Sequence, residues 1–525
     1  MNAHTYPQLT ADLNGKTFDY IICGAGSAGC VIAARLSEDP AVSVLLVEAG
    51  HGDTPDMVST PLRVIDIWFS DYDWGFSTVP QKHAGNRQVY WPRGKVMGGC
   101  SSMNGMIYVR GHQADYDAWA LQGNYGWDWK SVLPYFKKIE DFEGGADDYR
   151  ATGGPLRVIK EYEPHPVMAA LVKAGVEAGI PYNEDYNGET TDGISRIQFN
   201  IKEGTRASTA AGYIDPIHNR PNLTVMSGAR AEKVLITDGV VTGVQLATAS
   251  GSVTLNAAKE VVLSAGTLES PKILMLSGIG PKEHLAEHGI DCISDLPGVG
   301  QNLHDHTFLP MVYESKPDYP FPTNPTLPPM QVHMFTRSHP DMAVPDLQPL
   351  FFSVPAYAPG QEGPMNAFTL HAAGIRPTSR GEMRLTGASI DDPVALDPNL
   401  LSTQYDVDCL VTSMKQIRDL TSQPALKDWV TREVYPGPDV QTDEALAEYA
   451  RAFVGSYHHQ VGTCAMGTSA LSVVDPELRV YGVKGLRVAD ASVMPAVPSG
   501  NTNAPAIMIG EKCADLIKFN VCASV

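Results

Sequence analysis

The sequence predicts a chain of several domains in the α/β class, opening on a parallel strand–helix–strand unit. Three observations carry this expectation. Its 525 residues are enough for two to four domains of ordinary size. Hydrophobic residues make up 43% and charged residues 19%, the balance of a packed globular chain, and no repeat period or low-complexity tract interrupts it. Within the first fifty residues an apolar run, a glycine-rich turn, a helical spacing and a second apolar run follow one another, the order of a βαβ crossover.

Each element of that unit has its own reason. Phe18-Asp-Tyr-Ile-Ile-Cys23 reads as a short buried strand and runs into Gly24-Ala25-Gly26-Ser27-Ala28-Gly29, after which residues 28–36 have helical spacing. In such a turn Gly24 makes the tight bend, Gly26 lets the backbone approach a pyrophosphate, and Gly29 lets the helix pack on the strand. Ser27 and Ala28 lie at the helix N-terminus, whose positive end faces the anion. A second strand, Val42 to Val47, ends in Glu48. Its carboxylate can accept hydrogen bonds from both ribose hydroxyls of an adenosine and disfavours a 2′-phosphate. The pattern predicts a dinucleotide site and leaves FAD and NAD undistinguished.

Charge narrows the partners. A net charge of −20 with a pI near 5.1 repels phosphate backbones and anionic membranes, so nucleic acid is not an expected partner. Met1 to Tyr20 contain no basic segment followed by an apolar one, and no stretch approaches twenty consecutive apolar residues. A soluble, cytoplasmic protein without an integral membrane segment is therefore expected. The eight cysteines have neither CxxC nor zinc-like spacing, which predicts buried free thiols.

Four later segments carry a resemblance. Trp91 to Gly111, with Gly94, Gly98, Gly99, Asn104 and Tyr108, resembles the first signature of the glucose-methanol-choline family of FAD enzymes, and Gly266 to Gly280, with Ser270-Pro271 and Ser277-Gly278, resembles the second. Leu296-Pro-Gly-Val-Gly-Gln-Asn302-Leu-His-Asp305-His306 and Leu486-Arg-Val-Ala-Asp490-Ala491 are similar to further family segments in family order. The resemblance spans about residues 18–517 and selects FAD over NAD. It implies a two-domain fold of α/β and α+β character. A Rossmann-like FAD-binding domain would use 17–157, 204–312 and 455–525. A discontinuous substrate-binding domain built on an antiparallel sheet would use 158–203 and 313–454, behind an N-terminal extension of 1–16.

The resemblance further implies that Val96, Gly99, Asn104 and Met106 lie along the flavin, that the backbone of Val234 in a strand over 233–237 meets the adenine, and that Asp490, Ala491 and Asn503 belong to the cofactor site. Read without it, Gly98-Gly99-Cys100-Ser101-Ser102 is either a small-residue surface for a flat ring or phosphate, or a plain tight turn. Met97, Cys100 and His304 stand where the family more often has Leu, Ser and Gln. Met103 stands where some choline-oxidising members carry a His attached to the flavin. A thioether offers no comparable nucleophile, so non-covalent FAD is expected.

Ser456 to Gly467 resembles the family's histidine motif, and alignment on Gly462-Thr463 places His459 at the base position with His458 as its neighbour; Gln460 replaces the usual Pro. Pro498 to Pro505 resembles the partner segment, where Asn501 takes the place of the second His or Asn. The implied reaction is oxidation of a primary alcohol to an aldehyde, with electrons passed on to oxygen or a quinone-like acceptor. An alcohol of pKa about 16 facing an imidazole near 6.5 is roughly 13 kcal/mol uphill. Proton loss must therefore be nearly concerted with hydride loss, or the alkoxide must be stabilised by donors such as the Asn501 amide. Asn503 as cap, Pro505 in the first turn, and Ile509, Cys513 and Leu516 predict a final helix, and the resemblance implies that its positive N-terminus lies near the flavin N1/C2 edge.

No metal is expected. His458 and His459, as neighbours on a strand, would point to opposite faces. His304 and His306 flank Asp305 on one strand face without further ligands at metal-like spacing, and His306 is read as tethering a turn. Between Pro317 and Pro364 the chain places 12 of its 39 prolines, together with Tyr319, Phe321, Phe335, Phe351, Phe352 and Tyr357. This excludes a regular helix or central strand over most of that length. An aromatic wall or lid favouring an apolar or aryl alcohol is expected there, and no residue is assigned to a choline headgroup. Gly105 leaves room for oxygen near the flavin. A lyase or photodecarboxylase would use the same scaffold, and a non-catalytic flavin-binding protein would need no catalytic pair. An NAD-dependent dehydrogenase accounts for the first fifty residues alone.

Overall fold

Residues 4–523 are described by a computed structural model. Strand β1 (Thr17–Cys23) leads into helix α1 (Gly29–Leu36) and strand β2 (Val44–Val47). β1 lies parallel to β2, and beyond them a parallel strand over Leu223–Met226 sits on one side and the long strand Gly251–Leu263 on the other. The Gly251–Leu263 strand also pairs in parallel with Leu486–Val488 and leads antiparallel into Val240–Thr248 and Ala229–Thr237. β2 and most of β1 are buried, which accounts for their unbroken apolar runs: covered on both faces, a parallel strand has no solvent face to alternate toward. α1 packs hard on this sheet because position 29 is glycine; a Cβ there would lie 1.9 Å from the Gly24 carbonyl oxygen.

A second sheet is antiparallel throughout, in the order Arg432–Tyr435, Thr307–Glu314, Ala367–Gly374, Leu350–Phe352, Met330–Phe335 and Gly193–Arg196, with Gly455–Ser456 added on Thr307–Phe308. Its central strand Ala367–Gly374 is buried along its whole length and is backed by the helix Gln404–Thr421. The chain is thus a mixed, mainly parallel sheet joined to an antiparallel one, as expected from the resemblance.

One expectation needs correction. The boundary at 312 cuts through the strand Thr307–Glu314, and Gly455–Ser456 pairs with that strand and not with the parallel sheet. Most of the segment 317–364 is irregular, as expected, but it does contribute two short interior strands, Met330–Phe335 and Leu350–Phe352. Its prolines crowd into the connections, where no ladder N–H is lost. The N-terminal residues from Tyr6 lie against the parallel-sheet domain, with Tyr6 N–H donating to Gly52 O (3.0 Å) and Leu9 N–H to Ser227 O (3.0 Å). The described cysteines are free; Cys100 and Cys292 are half-buried and the other five buried. Cys522 lies outside the described side chains. No described helix is long and apolar enough to cross a membrane.

Helix α2 (Gly266–Leu276) follows the Gly251–Leu263 strand, and the last helix, α3 (Asn503–Ala523), packs on α1. Both helix N-termini open on the space between the two sheets.

Candidate active site

A cavity of about 280 Å³ lies where the two sheets meet. One half is made of backbone turns. Gly24, Gly26, Ser27, Ala28 and Glu48 line it from the β1–α1–β2 unit, and Gly99, Cys100 and Asn104 line it from the loop that follows residue 94. These two loops touch glycine to glycine. Gly98 N–H donates to Ala25 O (2.7 Å), and a Cβ on Gly99, at φ +51°, would lie 2.8 Å from Gly26 Cα. A Cβ on Gly26 would meet nothing closer than 3.9 Å, so its backbone stands open to the cavity.

Polar groups around these turns are already oriented. The Glu48 carboxylate accepts from Ala25 N–H and Gly50 N–H, both at 2.9 Å; burial raises its pKa to about 7, and each oxygen keeps a second lone pair. Ser27 Oγ donates to Asn503 Oδ1 (2.8 Å), which ties the glycine turn to the start of α3. Asp490 accepts from Gly266 N–H (2.9 Å), Ser270 Oγ (2.6 Å) and Ser492 N–H (2.8 Å), anchoring the N-terminus of α2. Bare turns, two helix N-termini and a buried acceptor pair fit a dinucleotide such as FAD, with Gly26 beside the pyrophosphate and Glu48 beside a ribose.

The other half holds the titratable groups. His459 and Asn501 both line the cavity, with Asn501 Nδ2 3.2 Å from His459 Nε2. An amide nitrogen only donates, so His459 Nε2 is the acceptor and the ring proton sits on Nδ1. That Nδ1 lies 3.0 Å from Nδ1 of His306 and donates to it. Asp305 holds the segment from behind: Oδ1 accepts from His459 N–H (2.8 Å), and Oδ2 accepts from Gln460 Nε2 (2.8 Å) and from Ser456 Oγ. Burial, then the neighbouring His306, His458 and Arg93, pushes the His459 pKa well below 6.5. The imidazole is neutral at neutral pH, with its Nε2 lone pair on the cavity side. The wall around it is apolar, formed by Val64, Ile65, Trp68, Phe308, Met330, Leu350, Phe352 and Tyr457, and Tyr457 stacks on His459 at 4.7 Å.

Most of the residues singled out in the sequence converge here: Gly24, Gly26, Ser27, Ala28, Glu48, Gly99, Asn104, His459, Asp490, Ala491, Asn501 and Asn503 line one cavity. Four do not. Gly29 acts in helix packing, as described above. Val96 is buried and bridged to His51. Met106, at φ +59°, packs with Ile107, Val109 and Tyr186. Val234 gives its N–H to Ser277 Oγ (2.9 Å), and Ala229, Arg230 and Ala231 of its strand line the cavity in its stead. Asn503 is the first residue of α3, one position inside the expected cap.

The histidine assignments change too. His306 pairs with His459 and does not merely tether a turn. His458 lines the same cavity as His459, because it sits at φ +67° in a turn beyond the strand Gly455–Ser456, where strand alternation has ceased. Of the aromatics named between Pro317 and Pro364, Phe352 reaches the cavity; Phe335 and Phe351 are core, and Phe321 is exposed. Trp68, Phe308, Tyr457 and His306 were missed as site residues. Trp68 carries no motif of its own, whereas Tyr457 lies inside the histidine motif, His306 ends a recognised segment and Phe308 follows just after it.

Fold and cavity together define a dinucleotide-dependent oxidoreductase scaffold with a buried imidazole and amide facing an apolar chamber. Two models of the GMC oxidoreductase family match residues 18–308 and 377–510, and the chain belongs to this FAD-using family of alcohol-oxidising enzymes. It is 38% identical to the oxygen-dependent choline dehydrogenase of Brucella ovis over 95% of both chains. It is also 38% identical to the alcohol dehydrogenase [acceptor] of Pseudomonas putida, again over 95% of each. Among solved structures it resembles pyridoxine 4-oxidase from Mesorbium loti with a TM-score of 0.92, 32% identity, and coverage of 96% of this chain and 99% of that one.

Proposed function

We propose that this chain oxidises a neutral primary alcohol, aryl or otherwise apolar, to its aldehyde with non-covalently held FAD, and passes the electrons to oxygen or a quinone-like acceptor. The observation that carries the reading is the placement of His459 and Asn501 in an apolar wall that offers no free carboxylate to the cavity. The three carboxylates among the cavity-lining residues are engaged elsewhere: Glu48 with Ala25 and Gly50, Glu269 with Arg230, and Asp490 with Gly266 and Ser270. No carboxylate there is free to pair with a cationic headgroup, and Trp68, Phe308 and Phe352 present flat apolar faces to the substrate. Pyridoxine 4-oxidase is named for a cyclic alcohol and the Brucella ovis relative for choline, so the preference for a neutral alcohol rests on the cavity wall and not on these names.

The chemistry FAD supplies when bound is acceptance of a hydride from the carbinol carbon. The residues of the chain handle the proton. A hydroxyl that takes the place of the Asn501 amide at His459 Nε2, where the two now meet at 3.2 Å, finds an acceptor in Nε2 and a donor in the displaced Nδ2. His459 takes the proton, and the Asn501 amide, with the new imidazolium, stabilises the oxygen while it carries negative charge. Because burial depresses the His459 pKa further, the uphill gap exceeds the roughly 13 kcal/mol of an unperturbed imidazole, and free alkoxide does not accumulate. The apolar wall excludes water and strengthens these contacts.

Met103 lines the cavity with a thioether, which supports dissociable FAD. Anaerobic mixing with benzyl-type, aliphatic, sugar and choline alcohols should bleach the flavin fastest with the aryl alcohols. Equal rates across the panel, or a preference for choline, would overturn the substrate class. Flavin that stays with acid-precipitated protein would overturn the non-covalent attachment. Peroxide formation during aerobic turnover separates oxidase from dehydrogenase.

A further inference from the structure

Gln348 is fully buried in the proline-rich segment, two residues before the strand Leu350–Phe352. Its backbone is pinned from both sides: N–H donates to Ala373 O (3.2 Å), and the carbonyl accepts from the Tyr457 hydroxyl (3.3 Å). Its side-chain nitrogen uses both hydrogens, one on Asn501 Oδ1 (3.0 Å) and one on His333 Nδ1 (3.3 Å). Its Oε1 has no hydrogen-bond partner. His333 is buried beside Tyr186 and Phe335 and is held neutral; facing the Gln348 amide nitrogen, its Nδ1 accepts.

We propose that Gln348 is a positioning residue that sets the direction of the hydrogen-bond chain ending at His459. The inference rests on the roles proposed above for His459 and Asn501. The two ends of an asparagine amide have nearly the same shape, and a half-turn of the side chain exchanges them. In the observed orientation Nδ2 faces His459, leaves Nε2 unprotonated and offers a donor to the substrate oxygen. In the reversed orientation Oδ1 faces His459, the ring proton must move to Nε2, and an acceptor confronts the forming negative charge. The Gln348 N–H on Asn501 Oδ1 opposes that reversal. Asn501 Oδ1 in turn opposes rotation of the Gln348 amide, because turning it would bring Oε1 against that oxygen and would also require the His333 ring proton to move from Nε2 to Nδ1.

Two substitutions of similar volume test this. Gln348→Met removes the donor, and Gln348→Glu keeps the shape but donates only while its carboxyl is protonated. With flavin content and melting temperature as folding controls, Gln348→Met should slow the limiting rate of flavin reduction by about tenfold. Affinity for the unreactive alcohol trifluoroethanol, read from flavin absorbance, should change less than about threefold. Gln348→Glu should lose rate as pH rises through its carboxyl titration, a dependence absent from the wild type above pH 6.5. In an Asn501→Ala background, Gln348→Met should cost less than about twofold. A Gln348→Met rate within twofold of wild type, or full additivity with Asn501→Ala, would overturn the inference. Should Gln348→Met not fold, the pH dependence of Gln348→Glu decides alone, a flat profile overturning the inference. If Asn501→Ala itself leaves the rate unchanged, the underlying reading fails instead.

Discussion

Asn501 and His459 come from segments 42 residues apart, yet Nδ2 of one points at Nε2 of the other across 3.2 Å. The contact determines which ring nitrogen is free to take a proton. Replacing His459 with Ala should lower the limiting rate of anaerobic flavin reduction by about 10³-fold or more, while FAD content stays unchanged. Asn501→Ala removes one donor and should cost about 10²-fold. Stopped-flow absorbance reads both, and near-normal reduction by His459→Ala would move the base to another residue.

His306 accepts from His459 Nδ1 at 3.0 Å and is held neutral, its pKa lowered to about 3 by burial. His306→Ala leaves the His459 N–H without a partner in a buried site. That costs about 1–3 kcal/mol, which, borne by the reacting state, slows flavin reduction about 5- to 150-fold. Substituting Gln, whose Oε1 can accept the same N–H, should restore most of the rate. Equal losses in both variants would assign His306 a packing role alone.

Gly99 and Gly26 leave no room for a side chain between their loops. In Gly99→Ala the new Cβ must displace the Gly26 backbone and also occupy a left-handed φ, so the dinucleotide turn opens. The purified variant should carry much less FAD than wild type, by the ratio of flavin to protein absorbance, and added FAD should rebind only weakly. A fully loaded variant would show that the contact is dispensable.

Acid should destabilise the fold. His304, His306, His333, His371 and His458 all have their pKa lowered by burial to about 3. The folded chain keeps them neutral while the unfolded chain protonates them near 6.5. Their stabilisation is complete above pH 6.5 and is lost as pH falls from 6.5 toward 3. At pH 5 the loss is roughly 2 kcal/mol for each. Burial raises Glu48 to about 7 and Asp305 to about 6. These two act in the opposite sense, contributing stability that fades as pH rises through those values, with about 1–2 kcal/mol each regained at pH 5. Five losses outweigh two gains, so the melting temperature should drop by several degrees or more between pH 7.5 and pH 5. An unchanged or higher value at pH 5 would contradict the burial of these rings.

The sequence by itself determined the parallel βαβ opening, a dinucleotide-type glycine turn with Glu48 and the final helix, and the family resemblance singled out His459 and Asn501. These are local: β1, α1 and β2 follow from the period of their apolar residues and from a glycine wherever two backbones touch, and the family motifs are contiguous runs. Tertiary structure alone decided the rest. His306 and Gln348 become site residues because the antiparallel sheet brings residues 153 apart within hydrogen-bond reach, His306 to His459 and Gln348 to Asn501. No local pattern encodes that separation. Trp68 and Tyr457 look like ordinary core aromatics until packing turns them toward the cavity. His458 faces the same way as His459 because a left-handed turn replaces the expected strand there, a reversal set by the backbone route around Asp305.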